Sequence, residues 1–399
     1  MKKIAIVGLY SIPNMGDKIL CEVSQYLTRQ INPDIQIKEV DVCPRFPSDY
    51  KGWDYIKYRI SRKMKTIAEK NFTYENSSKF RYRYEYFFWW LRLNRYYQKA
   101  FSDVDAIMFA GGGFLKFRTQ GLNYYVEQIV KIAQSKGIPV MMNGVGIEGY
   151  DEADIRCQQL KKIINSSCMK IITTRDDVEV LQHHYITNPD IQTSRVGDPA
   201  LWTPECYQIK KASDNQLIGI NVIRGNVFRD YGNSYSSEQL KDFYKQLVLS
   251  AEKRGLNWVL FSNGMISDQK LGRIILQELG MDPEEKLLPA PETSLELLEM
   301  IRKFKCIFGA RLHACITAYS MDVPVVGFIW NEKTRFFADI IHKKENFFEE
   351  SEIDVERILD QMETASSSQY DTAVRDHLKA LTKEYMEQFL KQLDNSDSI

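Results

Sequence analysis

The chain lacks a net charge: its 53 Lys and Arg balance 53 Asp and Glu. No overall field therefore steers it towards nucleic acid. It also lacks any apolar run approaching the ~18 continuous residues of a membrane span. The opening "MKKIAIVGLYSIPN" has two lysines, but its short apolar run is broken by Gly, Ser and Pro. It reads as a first β-strand rather than a signal peptide. The seven cysteines (Cys21, Cys43, Cys157, Cys168, Cys206, Cys306, Cys315) are scattered, odd in number and free of any CxxC. They read as buried thiols of a reducing cytoplasm. Histidine is scarce, with five residues in 399, and His183 and His184 are adjacent, so they cannot share a helix face. There is no HExxH, so no metal enzyme is expected, and no GxxxxGK[ST] phosphate loop.

What is present is the composition of a soluble globular protein, 44% hydrophobic and 27% charged, with mean hydropathy −0.37. At 399 residues the chain exceeds one ordinary core and suits two domains. Strand-like apolar runs alternate with amphipathic stretches: "KIAIVG", "DKILCEVSQYLTRQI", "DIQIKEVDV", then "VDAIMFAGGG", "YYVEQIVKIAQSK", "IPVMMNGVG" and "MKIITT". This is the pattern of a parallel sheet with helices on both faces. The rhythm pauses in a Pro-containing polar stretch at 196–216, which reads as a linker. It restarts with "LIGINVIRG", "NWVLFSN", "CIFGA", "LHACITAYSM" and "VPVVGFI". The expected architecture is therefore α/β, with two Rossmann-like doubly wound domains, 1–205 and 206–350, followed by C-terminal helices at 351–399. Such domains bind ligands at the carboxyl ends of their strands.

One segment departs from this pattern. Residues 51–100 hold 13 Lys and Arg against 4 Asp and Glu, and "KFRYRYEYFFWWLRLNRYYQKA" at 79–100 is dense in aromatics. Two readings stand: an aromatic-rich helix packed under a loop, or a membrane-surface contact in which Trp and Tyr lie at headgroup depth and Arg and Lys meet anionic lipid. Base stacking uses similar residues, but the surroundings are not basic, and no nucleic-acid partner is expected.

Glycines punctuate several strand ends. "FAGGGFL", with Gly112 and Gly113, frees the backbone to turn and to present N–H groups to an anion. "NMGDKIL" places Asn14 and Asp17 near a helix start, where an Asp is most often a cap. "GVGIEG" (Gly144, Gly146, Gly149) matches GxGxxG, but that signal alone is weak and Arg175 precedes the acids that would hold a ribose.

The second domain carries the sharper signal. In "CIFGARLHACITAYSMDVPVVGF", a strand runs into a helix whose first turn should contain Arg311, Leu312 and His313. Unsatisfied N–H groups and the helix dipole favour an anion there, and the Arg311 fork suits carboxylate or phosphate. The dipole opposes protonation of His313 while a bound anion favours it, which keeps it serviceable as a general acid. Arg224 follows the domain's first strand, and Lys333 follows "VVGFIWN". Three cations and a histidine at strand ends of one domain suggest a small, multiply anionic ligand.

In this order, "GLYSIPNMGDKIL", "GGGFL", "NGVGIE", "TTRDDVEV", "VGDPAL", "IGINVIRG" and "GARLHACITAYSMDVPVVGF" followed by Lys333 resemble the polysaccharide pyruvyl transferase family. The resemblance implies a GT-B-like pair of domains with a central cleft. It also implies transfer of a pyruvyl group from phosphoenolpyruvate to two sugar hydroxyls, with release of phosphate and no cofactor. It further implies that His313 is the general acid, that Arg311 and Arg224 hold the donor's carboxylate and phosphate with Leu312 beside them, and that Lys333 contacts phosphate. The base for the hydroxyl is expected from the facing domain, and Asp17 is the choice. "FSNGMISDQKL" has no histidine where many members do, which leaves Asn263 and Asp268 as the polar groups of that region. The expected acceptor is a glycan, free or lipid-linked, on a cytoplasmic enzyme placed peripherally at the membrane. Two rivals remain. One is a nucleotide-sugar glycosyltransferase, for which Glu332 is the nearest sugar-nucleotide carboxylate; the other is a non-catalytic anion-binding protein.

Overall fold

The computed structural model describes residues 1–44, 53, 56, 59–60, 79–118, 121–212, 216–225, 228, 235–368 and 370–395. These fall into two compact units. The first comprises Met1–Ser11, Ser24–Gly197 and Ala380–Ile399, the second Ile12–Val23 and Asp198–Lys379. The division falls at 197/198, where the sequence suggested 205/206. Two helices, the first and the last of the chain, each contribute residues to both units.

In unit 1 the strands are β1 (Lys3–Gly8), β2 (Gln36–Asp41), β3 (Ala106–Phe109), β4 (Gly112–Leu115), β5 (Val140–Ile147), β6 (Met169–Thr174) and β7 (Gln192–Arg195). They form a parallel sheet in the order β2-β1-β3-β5-β6-β7, with β4 beside β5. Burial of β1, β3 and β5 explains their continuous apolar runs, since a parallel sheet is covered on both faces. The strand order reverses between β1 and β3, so the segment after β1 and the glycines after β3 lie at the switch point where such sheets take ligands.

The helices named here are α1 (Met15–Ile31), α2 (Lys79–Ala100), α3 (Leu122–Lys136) and α4 (Ile155–Ile164). Helix α2 is the aromatic segment. It buries Tyr82, Trp89, Leu93, Tyr97 and Ala100, a spacing of three, four and seven that puts them on one face. Trp89 meets Tyr125 of α3 edge-on at 4.6 Å, and the Tyr97 hydroxyl donates to the Val42 carbonyl at 2.5 Å. The packed-helix reading of 79–100 therefore holds for this face. The rest of the 51–100 segment lies outside the described residues, apart from four positions.

Unit 2 has β8 (Leu217–Asn221), β9 (Trp258–Phe261), β10 (Phe304–Gly309), β11 (Val325–Ile329) and β12 (Phe347–Glu349), all parallel, in the order β12-β11-β10-β8-β9. Its order reverses between β8 and β10, which pair through Ile307–Gly219 and Phe308–Ile220. Helices α5 (Ser237–Lys253), α6 (Ile266–Glu278), α7 (Leu312–Ser320), α8 (Glu332–Ile340) and α9 (Val355–Ser367) accompany the sheet, and α10 (Thr372–Asn395) closes the chain. A Ser236 capping box starts α5. Over its described residues, the stretch expected to be a linker is packed structure. Pro199–Trp202 forms a 3-10 turn capped by Asp198, and Thr203–Tyr207 a short helix, with Pro199, Ala200, Leu201 and Thr203 buried. Proline at the first helical position loses no intrahelical hydrogen bond and has its φ pre-set, so this Pro-containing stretch starts a helical turn rather than a linker. Among the described residues, no helix is long and apolar enough to cross a membrane.

Candidate active site

The carboxyl ends of β8, β9 and β10 are tied together by side chains. Asn221, the last residue of β8, donates to Asn263 Oδ1 at 3.0 Å and accepts the Arg311 backbone N–H at 3.0 Å. The Tyr244 hydroxyl of α5 donates to the Asn221 carbonyl at 3.0 Å and accepts from the Ile223 N–H at 3.2 Å. Burial holds that phenol well above its usual range, so it remains a donor. Asn263 is fully buried, and its Nδ2 has no partner among the described residues. An unpaired buried amide N–H is costly, and here it is a donor left for a ligand to satisfy.

Arg311 is not in the first turn of α7, as the sequence suggested, but is the residue just before it, with extended backbone (φ −95°, ψ 126°). Its side chain is already engaged. Nε donates to Asp268 Oδ2 at 2.8 Å and NH2 to Oδ1 at 2.9 Å. Asp268, in the first turn of α6, is fully buried and also accepts the Arg224 backbone N–H at 3.0 Å. One carboxylate thus fixes both arginines, by side chain and by main chain respectively. This bidentate fork pre-orients the guanidinium and leaves NH1 without a hydrogen bond among the described residues.

His313 lies in the first turn of α7 and is 9% exposed. Its Nε2 is 3.8 Å from Asp198 Oδ2, whose other oxygen accepts the Ala200 N–H at 2.8 Å. The opposite side of the imidazole lies against Gly16. A Cβ on that glycine would lie 2.4 Å from His313 Cβ and 2.5 Å from Cγ and Nδ1. Gly16 is therefore glycine because the backbone of α1 and the histidine share the space. The start of α1 is anchored to the same unit by the Met15 N–H, which donates to the Asn263 carbonyl at 3.0 Å. Asn14 Nδ2 holds the Asp17 carboxylate at 2.8 Å, and Asn14 Oδ1 is buried with no partner among the described residues. Asp17 was expected to face the histidine from the other domain; instead Ile12–Val23 belongs with unit 2.

Lys333 lies at the start of α8, whose cap is Asn331, accepting the Thr334 N–H at 3.0 Å. The preceding Trp330 donates Nε1–H to the Ala310 carbonyl at 2.6 Å. That bond fastens the end of β11 to the residue before Arg311, so Lys333 and Arg311 begin neighbouring helices. Unit 2 thus brings together Asn14, Asp17, Arg224, Asn263, Arg311, Leu312, His313 and Lys333. Gly112 and Gly113 belong to unit 1 and open strand β4, where Gly112 pairs with Val145. There they serve a strand rather than a free anion loop. Gly144 and Gly146 lie inside β5, with the next long helix beginning only at Ile155. That placement lacks the strand–turn–helix context of a dinucleotide site.

Three residues of this constellation carry no role in the sequence reading, Gly16, Asp198 and Asn221, while Asp268 stood there only as a polar group of its region. Asp198 stood in the quoted "VGDPAL", and Asn221 at the polar end of an apolar strand. Both signals are local, whereas the His313 and Arg311 that they meet are 115 and 90 residues away along the chain.

The family model for polysaccharide pyruvyl transferases matches residues 14–332. No curated protein matches the chain in sequence. Among solved structures, UDP-GlcNAc 2-epimerase from Neisseria meningitidis bound to UDP-GlcNAc superposes with TM-score 0.57 at 12% identity, over 98% of this chain and 100% of that one. The Methanocaldococcus jannaschii UDP-GlcNAc 2-epimerase in complex with UDP-GlcNAc and UDP gives 0.58 at 12% identity, over 98% and 100%. At that identity the likeness concerns the fold alone, two parallel-sheet α/β domains of GT-B-like type. The family match spans the ends of β8, β9, β10 and β11, and by it the chain belongs to the polysaccharide pyruvyl transferase family.

Proposed function

We propose that this transferase uses phosphoenolpyruvate as donor and a glycan of a cell-surface polysaccharide precursor as acceptor. The observation that carries the reading is the grouping of Arg224, Arg311 and Lys333 with His313 at the strand ends flanking the β8/β10 switch point. A small ligand bearing both carboxylate and phosphate suits several fixed cations and one acid. The unpaired Asn263 amide supplies a further donor.

In the proposed reaction, His313 delivers a proton to the methylene carbon of the enol, giving a methyl group and an oxocarbenium-like centre at C2. A sugar hydroxyl attacks C2 and gives up its proton to a base, for which Asp17 is proposed. The C2–O bond to phosphate then breaks, and the departing phosphate, which becomes the dianion on taking the second hydroxyl's proton, is held by the arginines and Lys333. A second hydroxyl closes the cyclic ketal, and its proton leaves with phosphate. Asp198 is a positioning residue, holding the imidazole from the Nε2 side while Gly16 bounds the other. Asp268 positions the two arginines. The exposed side of α2 supports a peripheral membrane placement, suited to a lipid-linked acceptor.

The test is release of inorganic phosphate from phosphoenolpyruvate in the presence of a crude glycan acceptor, with His313→Ala as control. The variant should lose roughly 10²- to 10⁴-fold in rate. No release from phosphoenolpyruvate, with turnover of a UDP-sugar instead, would replace this reading by glycosyl transfer.

A further inference from the structure

Unit 1 has a second concentration of charge that the transfer chemistry does not use. A cavity of about 430 Å³ opens between α2, α3 and α4, lined by Lys79, Arg83 and Tyr86 of α2, Glu127 and Lys131 of α3, and Lys162 of α4. Four cations face one carboxylate, and that carboxylate is satisfied. Glu127 is buried, ion-paired with Lys131 at 2.5 Å, and accepts the Tyr82 hydroxyl. Lys79, Arg83 and Lys162 form no ion pair among the described residues, and all three are exposed. Among the described residues that line the cavity Glu127 is the one acid, so the lining carries a net positive charge.

Beside this cavity, α2 presents aromatic side chains to solvent. Phe80 is 80% exposed, Phe87 50% and Trp90 41%, and the rings of Phe87 and Trp90 stack at 6.3 Å. Arg83 stands three residues after Phe80 and four before Phe87, on the same side of the helix. Large exposed aromatics adjoining cations are unfavourable in water and fit a membrane interface, where the rings lie at headgroup depth and the cations meet anionic phosphate.

We propose that the cavity between α2, α3 and α4 binds the phosphate of an anionic phospholipid headgroup, with Phe80, Phe87 and Trp90 entering the bilayer surface beside it. This gives the peripheral placement a defined site, and it rests on that placement rather than on the donor chemistry. An extended nucleic-acid track is disfavoured because the cations converge on one cavity and the chain has no net charge.

The experiment is flotation of the full chain with phosphatidylcholine vesicles, with and without 30 mol% phosphatidylglycerol. Binding is expected to the anionic vesicles alone and to fall with salt. Each basic residue at such a surface is worth roughly fivefold in partitioning. Arg83→Glu/Lys162→Glu should therefore reduce flotation more than tenfold, and Phe87→Ser/Trp90→Ser should also abolish it. Circular dichroism and thermal unfolding identify variants that fail to fold; for those, Lys162→Gln alone supplies the comparison, with a loss of roughly fivefold expected. Equal flotation on neutral vesicles, or undiminished binding by the folded charge variants, overturns the proposal. So does binding to a single-stranded oligonucleotide without binding to vesicles. Phosphate release is read separately: vesicle binding without it would reject the donor assignment and leave the lipid site standing.

Discussion

Replacing Gly16 by alanine sets two known effects against each other at the histidine. Gly16 lies within helix α1, where alanine is intrinsically better than glycine by up to about 1 kcal/mol. The added methyl would lie 2.4 Å from His313 Cβ, against an optimum of about 3.5–4.0 Å. Because the atom struck is Cβ, no rotamer of His313 relieves the contact. One helix start must shift by about 1 Å. Overpacking of this kind costs about 1–3 kcal/mol, so the net destabilisation should be about 1–2 kcal/mol. The consequence for turnover should be larger than for folding, since a displacement of about 1 Å at a reacting group can cost about 10²-fold. The assay is a cycle: Gly16→Ala in the natural chain and in a His313→Gly background, each followed by urea unfolding, with phosphate release for the first. In the second background the obstructing atoms are gone, and the same substitution should stabilise. A Gly16→Ala enzyme that gains stability and keeps its rate would refute the close approach of α1 to His313.

Further outcomes follow from the same geometry. Arg311→Ala leaves the fully buried Asp268 carboxylate without its charge partner and should cost about 3 kcal/mol by chemical denaturation; a cycle with Asp268→Ala should show coupling of about 0.5–3 kcal/mol, and additivity would mean the fork is not maintained. Asp198→Asn keeps the cap acceptor for Ala200 but removes the charge beside His313. It should lower kcat roughly tenfold, a fraction of the general-acid contribution, with little change in KM or thermal midpoint; an unchanged kcat would remove its positioning role. Cys306 and Cys315 are buried, and their thiols are pushed up to about 12. In the native protein they should resist iodoacetamide at pH 8 while the less buried Cys206 reacts, as read by peptide mass spectrometry. Labelling of Cys315 ahead of Cys206 would contradict the packing of α7.

How much of this was legible in the sequence depends on the range of the interaction. Alternating apolar runs and amphipathic stretches identified the two parallel-sheet units, because burial of both sheet faces writes itself into consecutive residues. Arg224, Arg311, His313 and Lys333 were legible as strand-end residues, since a strand followed directly by a helix fixes where its last polar side chains stand. The nature of 79–100 was half legible: aromatic density announced a helix with an unusual surface, but which rings pack on α3 depends on the partner helix.

What only the tertiary structure decided are the contacts that cross from one strand end to another. The pairing of Arg311 with Asp268, the Asn221 bridge to Asn263, the Asp198 carboxylate behind His313, and the Gly16 backbone in front of it join residues far apart in the chain. Composition and period carry no record of such pairs, because each residue alone is ordinary for the strand, helix or loop that carries it. The sequence determines which chemical groups stand at the ends of the strands; the order of the strands in the sheet determines which of those groups meet.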